Sequence, residues 1–133
     1  MNSFTKTYLA SGTEKYLQVE HEMRHGHRPG WNPEEIYRFA DFVVKKGTSP
    51  LRFKRTSKEN KLRFEGEIIE AAAYYTCDTA DWGANAYKWI KIEVEISNKT
   101  ITTNLPEEAE YYFVNGVTPD KMMYSSEMVK VRK

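Results

Sequence analysis

A single cysteine, Cys77, is all the thiol chemistry that this chain of 133 residues carries. No intramolecular disulfide framework can hold it together, so stability has to come from a buried core. Cys77 itself lies in the β-prone run AAAYYTCDT, where it reads as a small buried residue. An excess of charge of one sign is missing as well: 20 Lys and Arg stand against 19 Asp and Glu, a net of +1. That balance supplies no long-range field to gather nucleic acid or an anionic membrane, and neither is expected as a partner. Long apolar runs are absent too. Nothing approaches the ~20 residues of a membrane span, and the opening MNSFTKTYLASG lacks the apolar centre of a secretory signal, so nothing in the chain exports it; as written it reads as cytoplasmic, and the compartment stays undecided. No internal repeat or low-complexity tract interrupts it. What remains is an apolar fraction of 40%, enough for a core in one domain, or in one small domain plus a piece of another.

The chain reads as two unlike parts that meet at residues 47–50. The first, 1–47, reads strand, loop, helix. Tyr16, Leu17 and Val19 form a short β-prone run. The helix is marked at both ends: Asn32 suits the N-cap, Pro33 the first helical position, and Glu35 can close a capping box. Lys45 and Lys46 suit the last turn, and Gly47 the exit. Between these marks Ile36, Phe39, Ala40 and Val43 recur at i, i+3, i+4 and i+7, which predicts one apolar stripe on a helix over 33–46.

The second part, 50–133, is β structure almost throughout. Strands are expected at 51–55, 61–69, 71–77, 87–96, 100–105, 110–114 and 122–131, and seven short strands separated by turns predict an immunoglobulin-like or fibronectin-like sandwich. The clearest is WIKIEVEIS, in which Ile90, Ile92, Val94 and Ile96 alternate with Lys91, Glu93 and Glu95. That is the period of a strand with one buried and one wet face. Residues 57–60, 97–99 and 104–107 and the pair Asn115-Gly116 supply turns. The expected fold class is therefore mainly β, with a short α/β piece in front.

Candidate chemistry concentrates in HEMRHGHRPGW, residues 21–31, a glycine-punctuated loop between the predicted strand and helix, where functional groups favour sitting. His21, His25 and His27, with Glu20 and Glu22 beside them, offer imidazole and carboxylate ligands for zinc or a similar ion. The His-x-x-x-His-x-His spacing is generic, however, and His25 and His27 reach one ion only if the backbone turns at Gly26. One neutral imidazole can instead take a proton from a nucleophile and return it to a leaving group. The third reading is that all three are ordinary polar loop residues. Spacing leaves the three open.

The pattern runs Met23-x-His25-Gly26-His27, then Gly30-Trp31, then EIYRFAD from Glu35 to Asp41. It resembles the end of the catalytic domain in a group of bacterial α/β-hydrolases, the acetyl xylan esterase-like, dienelactone hydrolase-like and PhoPQ-activated pathogenicity-related proteins. The downstream AAAYYTCDTADWGANAYKWI and LPEEAEYYFVNGVTPDKMMYSSEMVKV are similar to the β-sandwich tail these proteins carry. The resemblance implies that 1–47 is the C-terminal remnant of an α/β-hydrolase catalytic domain and 50–133 a sandwich domain. In such hydrolases the triad follows the chain order Ser, Asp, His. His25, immediately before a glycine, matches the general base, with His27 as the fallback. The G-x-S-x-G nucleophile turn is not in the sequence, and Met1 falls at an internal position of the longer pattern, so a fragment silent on its own is expected. No metal and no cofactor is implied. The implied partner is the upstream hydrolase segment or a second copy meeting through helix 33–46, whose stripe would otherwise lack its sheet.

Three further features complete the reading. Tyr74, Tyr75, Trp82, Tyr87, Trp89, Tyr111 and Tyr112 can stack on sugar rings, which keeps carbohydrate as a partner, although such aromatics more often fill a sandwich core. The basic run RFKRTSKENKLR is expected to form the solvated face of a hairpin. The sequon Asn98-Lys99-Thr100 is of a kind frequent by chance and is set aside.

Overall fold

A computed structural model describes residues 16–19, 34–45, 50–58, 60–77 and 88–131. Among them are one helix, α1 (Glu34–Lys45), and eight strands: β1 (Arg52–Arg55), β2 (Lys61–Glu65), β3 (Glu70–Thr76), β4 (Ile90–Ser97), β5 (Thr100–Thr103), β6 (Tyr111–Val117), β7 (Met123–Ser125) and β8 (Val129–Lys130). The protein is mainly β, as its turn-punctuated short strands predict. All strand pairs are antiparallel, in the order β1-β2-β5-β4-β3-β6-β7, with β8 also on β6.

One strand serves both sheets. The first half of β4 pairs with β3, from Tyr75↔Ile90 to Ala72↔Glu93, and its second half pairs with β5, from Val94↔Thr103 to Ser97↔Thr100. The path therefore folds into two layers, β1-β2-β5-β4 and β4-β3-β6-β7, which is the strand order of an immunoglobulin-type sandwich. The β4–β5 hairpin closes through Asn98 and Lys99, at φ 49° and 58°. Two left-handed central residues make a type I′ turn, whose twist matches that of the strands.

The expected strand at 122–131 is broken by a bulge. From the Asn115↔Ser125 pair to the Tyr112↔Val129 pair, β6 advances three residues and its partner four. Ser126 bridges the defect: its N–H donates to Val114 O at 2.8 Å, and its hydroxyl accepts from Val114 N at 2.9 Å. Asn115-Gly116, expected as a turn, lies inside β6 opposite Ala72 and Ala71. Gly116 is needed there for room rather than for a turn, because a Cβ would stand 2.7 Å from Leu51 Cδ2 and 2.9 Å from Phe53 Cζ.

Leu62, Phe64, Ala73, Tyr75, Ile101, Tyr112 and Val114 fill the space between the sheets. The other face of the second sheet is buried as well over the middle of β3 and β6, while Lys91 and Glu93 of β4 are exposed there. Ala72, Thr76, Trp89, Phe113, Asn115 and Ser125 are all nearly inaccessible, with Phe113 only 1% exposed. Its ring stacks on Tyr74 at 5.2 Å and meets Trp89 edge-on at 4.9 Å. A sheet covered on both sides needs strands that are apolar at both parities. EAAAYYT and YYFVNGV meet that need.

The first sheet keeps a wet outer face, where exposed Lys54 pairs with Glu65 and holds its carboxyl below the usual range. Arg55 departs from the solvated hairpin expected here, because its register with Leu62 turns it inward. In β4 the predicted alternation holds at Ile92 and Val94, which are half-buried, while Ile90 and Ile96 are exposed toward its ends. Cys77, expected to be buried, is exposed just past the end of β3.

Candidate functional site

The chain enters the described structure at residues 16–19, which lie along the outer edge of β7. Ser125 N donates to Leu17 O at 2.7 Å. Val19 N donates to Ser125 Oγ at 2.7 Å, and Val19 O accepts from Asn115 Nδ2 at 3.0 Å. The two side chains also bond to each other, Ser125 Oγ donating to Asn115 Oδ1 at 2.6 Å. A buried amide and hydroxyl are tolerated only when paired in this way.

Tyr16 joins this segment to the helix. Its ring meets Phe39 at 5.4 Å, Phe42 at 6.2 Å and Tyr124 at 6.1 Å, all edge-on. Its hydroxyl accepts from Arg52 Nε at 3.1 Å and Nη2 at 3.0 Å. The stripe expected on the helix is consequently rotated: Phe39 and Phe42 are the half-buried pair, whereas Ala40 is exposed and Val43 and Val44 stand 57% and 78% exposed. Phe42, three residues after Phe39, reaches the same ring. The side chain of Ile36 lies outside the described residues.

A cleft of about 710 Å³ opens between α1 and one end of the sandwich, lined by Arg38, Asp41, Phe42, Lys45, Asp120 and Tyr124 among others. Its charges are mixed, and Lys45 is held by Asp41 one turn away at 2.8 Å. At the far end of β6, Arg55 donates to Tyr112 Oη and to both the carboxylate and the backbone carbonyl of Glu127. This cluster borders a recess of about 360 Å³ along Tyr112, Val129 and Val131. Burial, with the negative charges of Glu108 and Cys77 adding to it, pushes the Tyr75 hydroxyl up from its ordinary value.

His21, His25 and His27 lie outside the described residues, as do Trp82 and Tyr87. Of the other aromatics expected as candidates for sugar stacking, Tyr75, Trp89 and Tyr112 are buried and Tyr74 and Tyr111 half-buried. Among the described residues no group of three His, Cys, Asp or Glu side chains can hold a metal ion, and no helix is long and apolar enough to cross a membrane. The Asn115–Ser125 pair and the Arg55–Glu127 contact were not visible in the sequence; an Asn-Gly dipeptide reads as a turn, and no local pattern marks a partner 72 residues away.

The described fold defines a β-sandwich protein of immunoglobulin-type topology; residues 16–19, expected as a strand, are bonded along β7 without forming one, and the helix packs on Tyr16. No family model, no curated protein and no solved structure matches the chain.

Proposed function

We propose that this chain is the C-terminal part of a serine-type ester or amide hydrolase, contributing the general-base histidine but no nucleophile, and inactive alone. What supports the reading, beside the likeness of the His25-Gly26-His27 segment, is that the residues before and after that segment meet each other at one edge of the sandwich. Residues 16–19 are bonded to Asn115 and Ser125 ahead of it, and α1 packs on Tyr16 behind it. A general base is best carried between elements that are themselves held in place. In this reading an upstream serine attacks the acyl carbonyl while His25, with His27 as fallback, takes the hydroxyl proton. The same imidazole then delivers it to the departing alcohol or amine and afterwards activates water.

The partner is the upstream hydrolase segment or, where that segment is absent, a second copy meeting on the exposed face of α1 around Val43 and Val44. The open cleft beside α1 favours a second reading, a non-enzymatic module that holds protein or carbohydrate at this end of the sandwich.

The purified chain is expected to hydrolyse p-nitrophenyl acetate no faster than free imidazole. A longer protein in which a G-x-S-x-G segment precedes this sequence is expected to take a fluorophosphonate label and to lose turnover on His25→Ala. Turnover by the chain itself, abolished by His25→Ala and by a serine-directed inhibitor, refutes the fragment reading. A longer protein that carries no such segment and takes no label gives way to the second reading.

A further inference from the structure

We propose that the outer face of the first sheet is a self-complementary surface on which a second copy of this chain docks, face to face. This surface is separate from α1, and the proposal does not depend on the hydrolase reading.

Strand register determines what the face carries. Lys54 of β1 stands directly opposite Arg63 of β2, and Lys61 lies two residues before Arg63, so all three share one side of the sheet. On β4, Glu95 and, two residues before it, Glu93 are exposed, while the alternating Ile92 and Val94 turn toward the core. Strand β5 separates the two groups: Thr102 pairs with Lys61 on one side and with Glu95 on the other, and Thr100 with Arg63 and Ser97. The face is thus divided into a basic stripe, a threonine stripe and an acidic stripe. The outer stripes lie two strand spacings apart, roughly 10 Å. Among the described residues Lys61, Arg63, Glu93 and Glu95 form no ion pair.

Like charges opposed across a ladder cost stability. The Lys54–Arg63 pair is of that kind, relieved by the diagonal bond from Lys54 to Glu65. A partner that relieves it further has to bring negative charge to the hairpin and positive charge to β4. An anionic polymer meets the first condition and is repelled at Glu93 and Glu95. A second copy meets both. Stacked sheets keep their strands within about 30° of each other, and a two-fold axis parallel to the strands lays β4 of each copy over β1 of the other, and β5 over β2. Glu95 of each then approaches Lys54 and Lys61 of the other, and every such contact occurs twice. Four strands at ~4.8 Å spacing with about five residues of overlap give a face on the order of 300–400 Å² per copy. A standard stable interface takes about 800 Å² per partner. The association is therefore weak and, being carried by exposed charge, sensitive to salt.

Sedimentation velocity of the full chain, from micromolar to millimolar concentration at low and at high salt, tests this. The wild type is expected to associate in the upper part of that range and to dissociate as salt is raised. Glu95→Lys and Lys61→Glu are each expected to weaken association by about tenfold, since each loss counts twice by symmetry. An equimolar mixture of the two variants is expected to recover it, because one reversal then meets the other, and that recovery also shows that both variants fold. A wild type that stays monomeric overturns the inference, as does a mixture that fails to recover. Association that survives both reversals but is lost on Val44→Asp belongs to the exposed face of α1 and overturns it too. A monomer that binds heparin, less tightly on Arg63→Glu and more tightly on Glu95→Lys, gives the face to an anionic polymer instead.

Discussion

Replacing Phe113 by alanine tests the least expected feature of the fold, the burial of the second sheet on its outer face. In a sandwich with a wet back, a residue at this parity faces solvent, and its truncation changes stability by no more than about 0.5 kcal/mol. Here the ring is 1% exposed, stacked on Tyr74 and met edge-on by Trp89. Truncating a buried phenylalanine removes its transfer free energy and leaves a cavity, together about 3–5 kcal/mol. Two aromatic pairings, each adding about 0.5–1.5 kcal/mol beyond area, place Phe113→Ala toward the upper end. A loss of about 4 kcal/mol is a large share of the 5–15 kcal/mol typical of a domain, and at a urea m-value of about 2 kcal/mol/M it moves the midpoint by about 2 M. Equilibrium urea unfolding followed by tryptophan fluorescence and by far-ultraviolet circular dichroism gives the shift. Lys91→Ala on the same face, where the side chain is exposed and only loosely paired with Glu70 at 3.8 Å, serves as the control and is expected to stay within about 0.5 kcal/mol. A Phe113→Ala loss below about 1 kcal/mol refutes the two-sided burial.

Gly116→Ala is expected to destabilise by about 1–3 kcal/mol in the same assay, because its Cβ would press on Leu51 and Phe53, whose side chains are already packed. An effect near zero shows that those side chains can yield. Lys121 is left-handed at φ 62°, and Lys121→Gly is expected to raise stability by up to about 1 kcal/mol by removing that strain; a loss on substitution refutes the assignment of strain there. Tyr75 has its pKa raised by burial and by the charges of Glu108 and Cys77. Its neutral form is favoured in the folded chain, so its contribution is complete below the ordinary tyrosine value and declines as pH rises through the folded one. Unfolding followed across alkaline pH is expected to show that decline in the wild type and a shallower one in Tyr75→Phe; parallel curves count against it.

The strands were legible wherever a local rule sufficed. Strict alternation marks the middle of β4, and the turn residues at 57–60 and 97–99 mark the hairpins on either side of β2 and β5. The errors share a cause, which is that tertiary contact decided them. Asn115-Gly116 has the composition of a hairpin turn, but Leu51 and Phe53 need the space over Gly116 and the Val19 backbone needs the Asn115 amide. The helix pattern predicts an apolar stripe through Ala40 and Val43, yet which side is buried depends on Tyr16, a residue distant in sequence. The double burial of β3 and β6 was written in the sequence, in the lack of alternation through AAAYY and YYFV, and a period-based reading looks past such runs. Nothing local distinguishes Arg55 from Lys54, although one turns inward to Tyr112 and the other faces water.

The shared strand β4 gives the sandwich a mechanical character. Two sheets that touch only through side chains can separate or slide once their core loosens, each keeping its own ladder. Here the first half of β4 is hydrogen-bonded to β3 and the second half to β5, so one continuous backbone is stitched into both layers. Pulling either sheet away loads the peptide between Glu93 and Val94 and, through it, the other ladder. Parting the layers therefore means breaking a hydrogen-bonded ladder, β4 from β3 or β4 from β5, as well as the side-chain contacts between them.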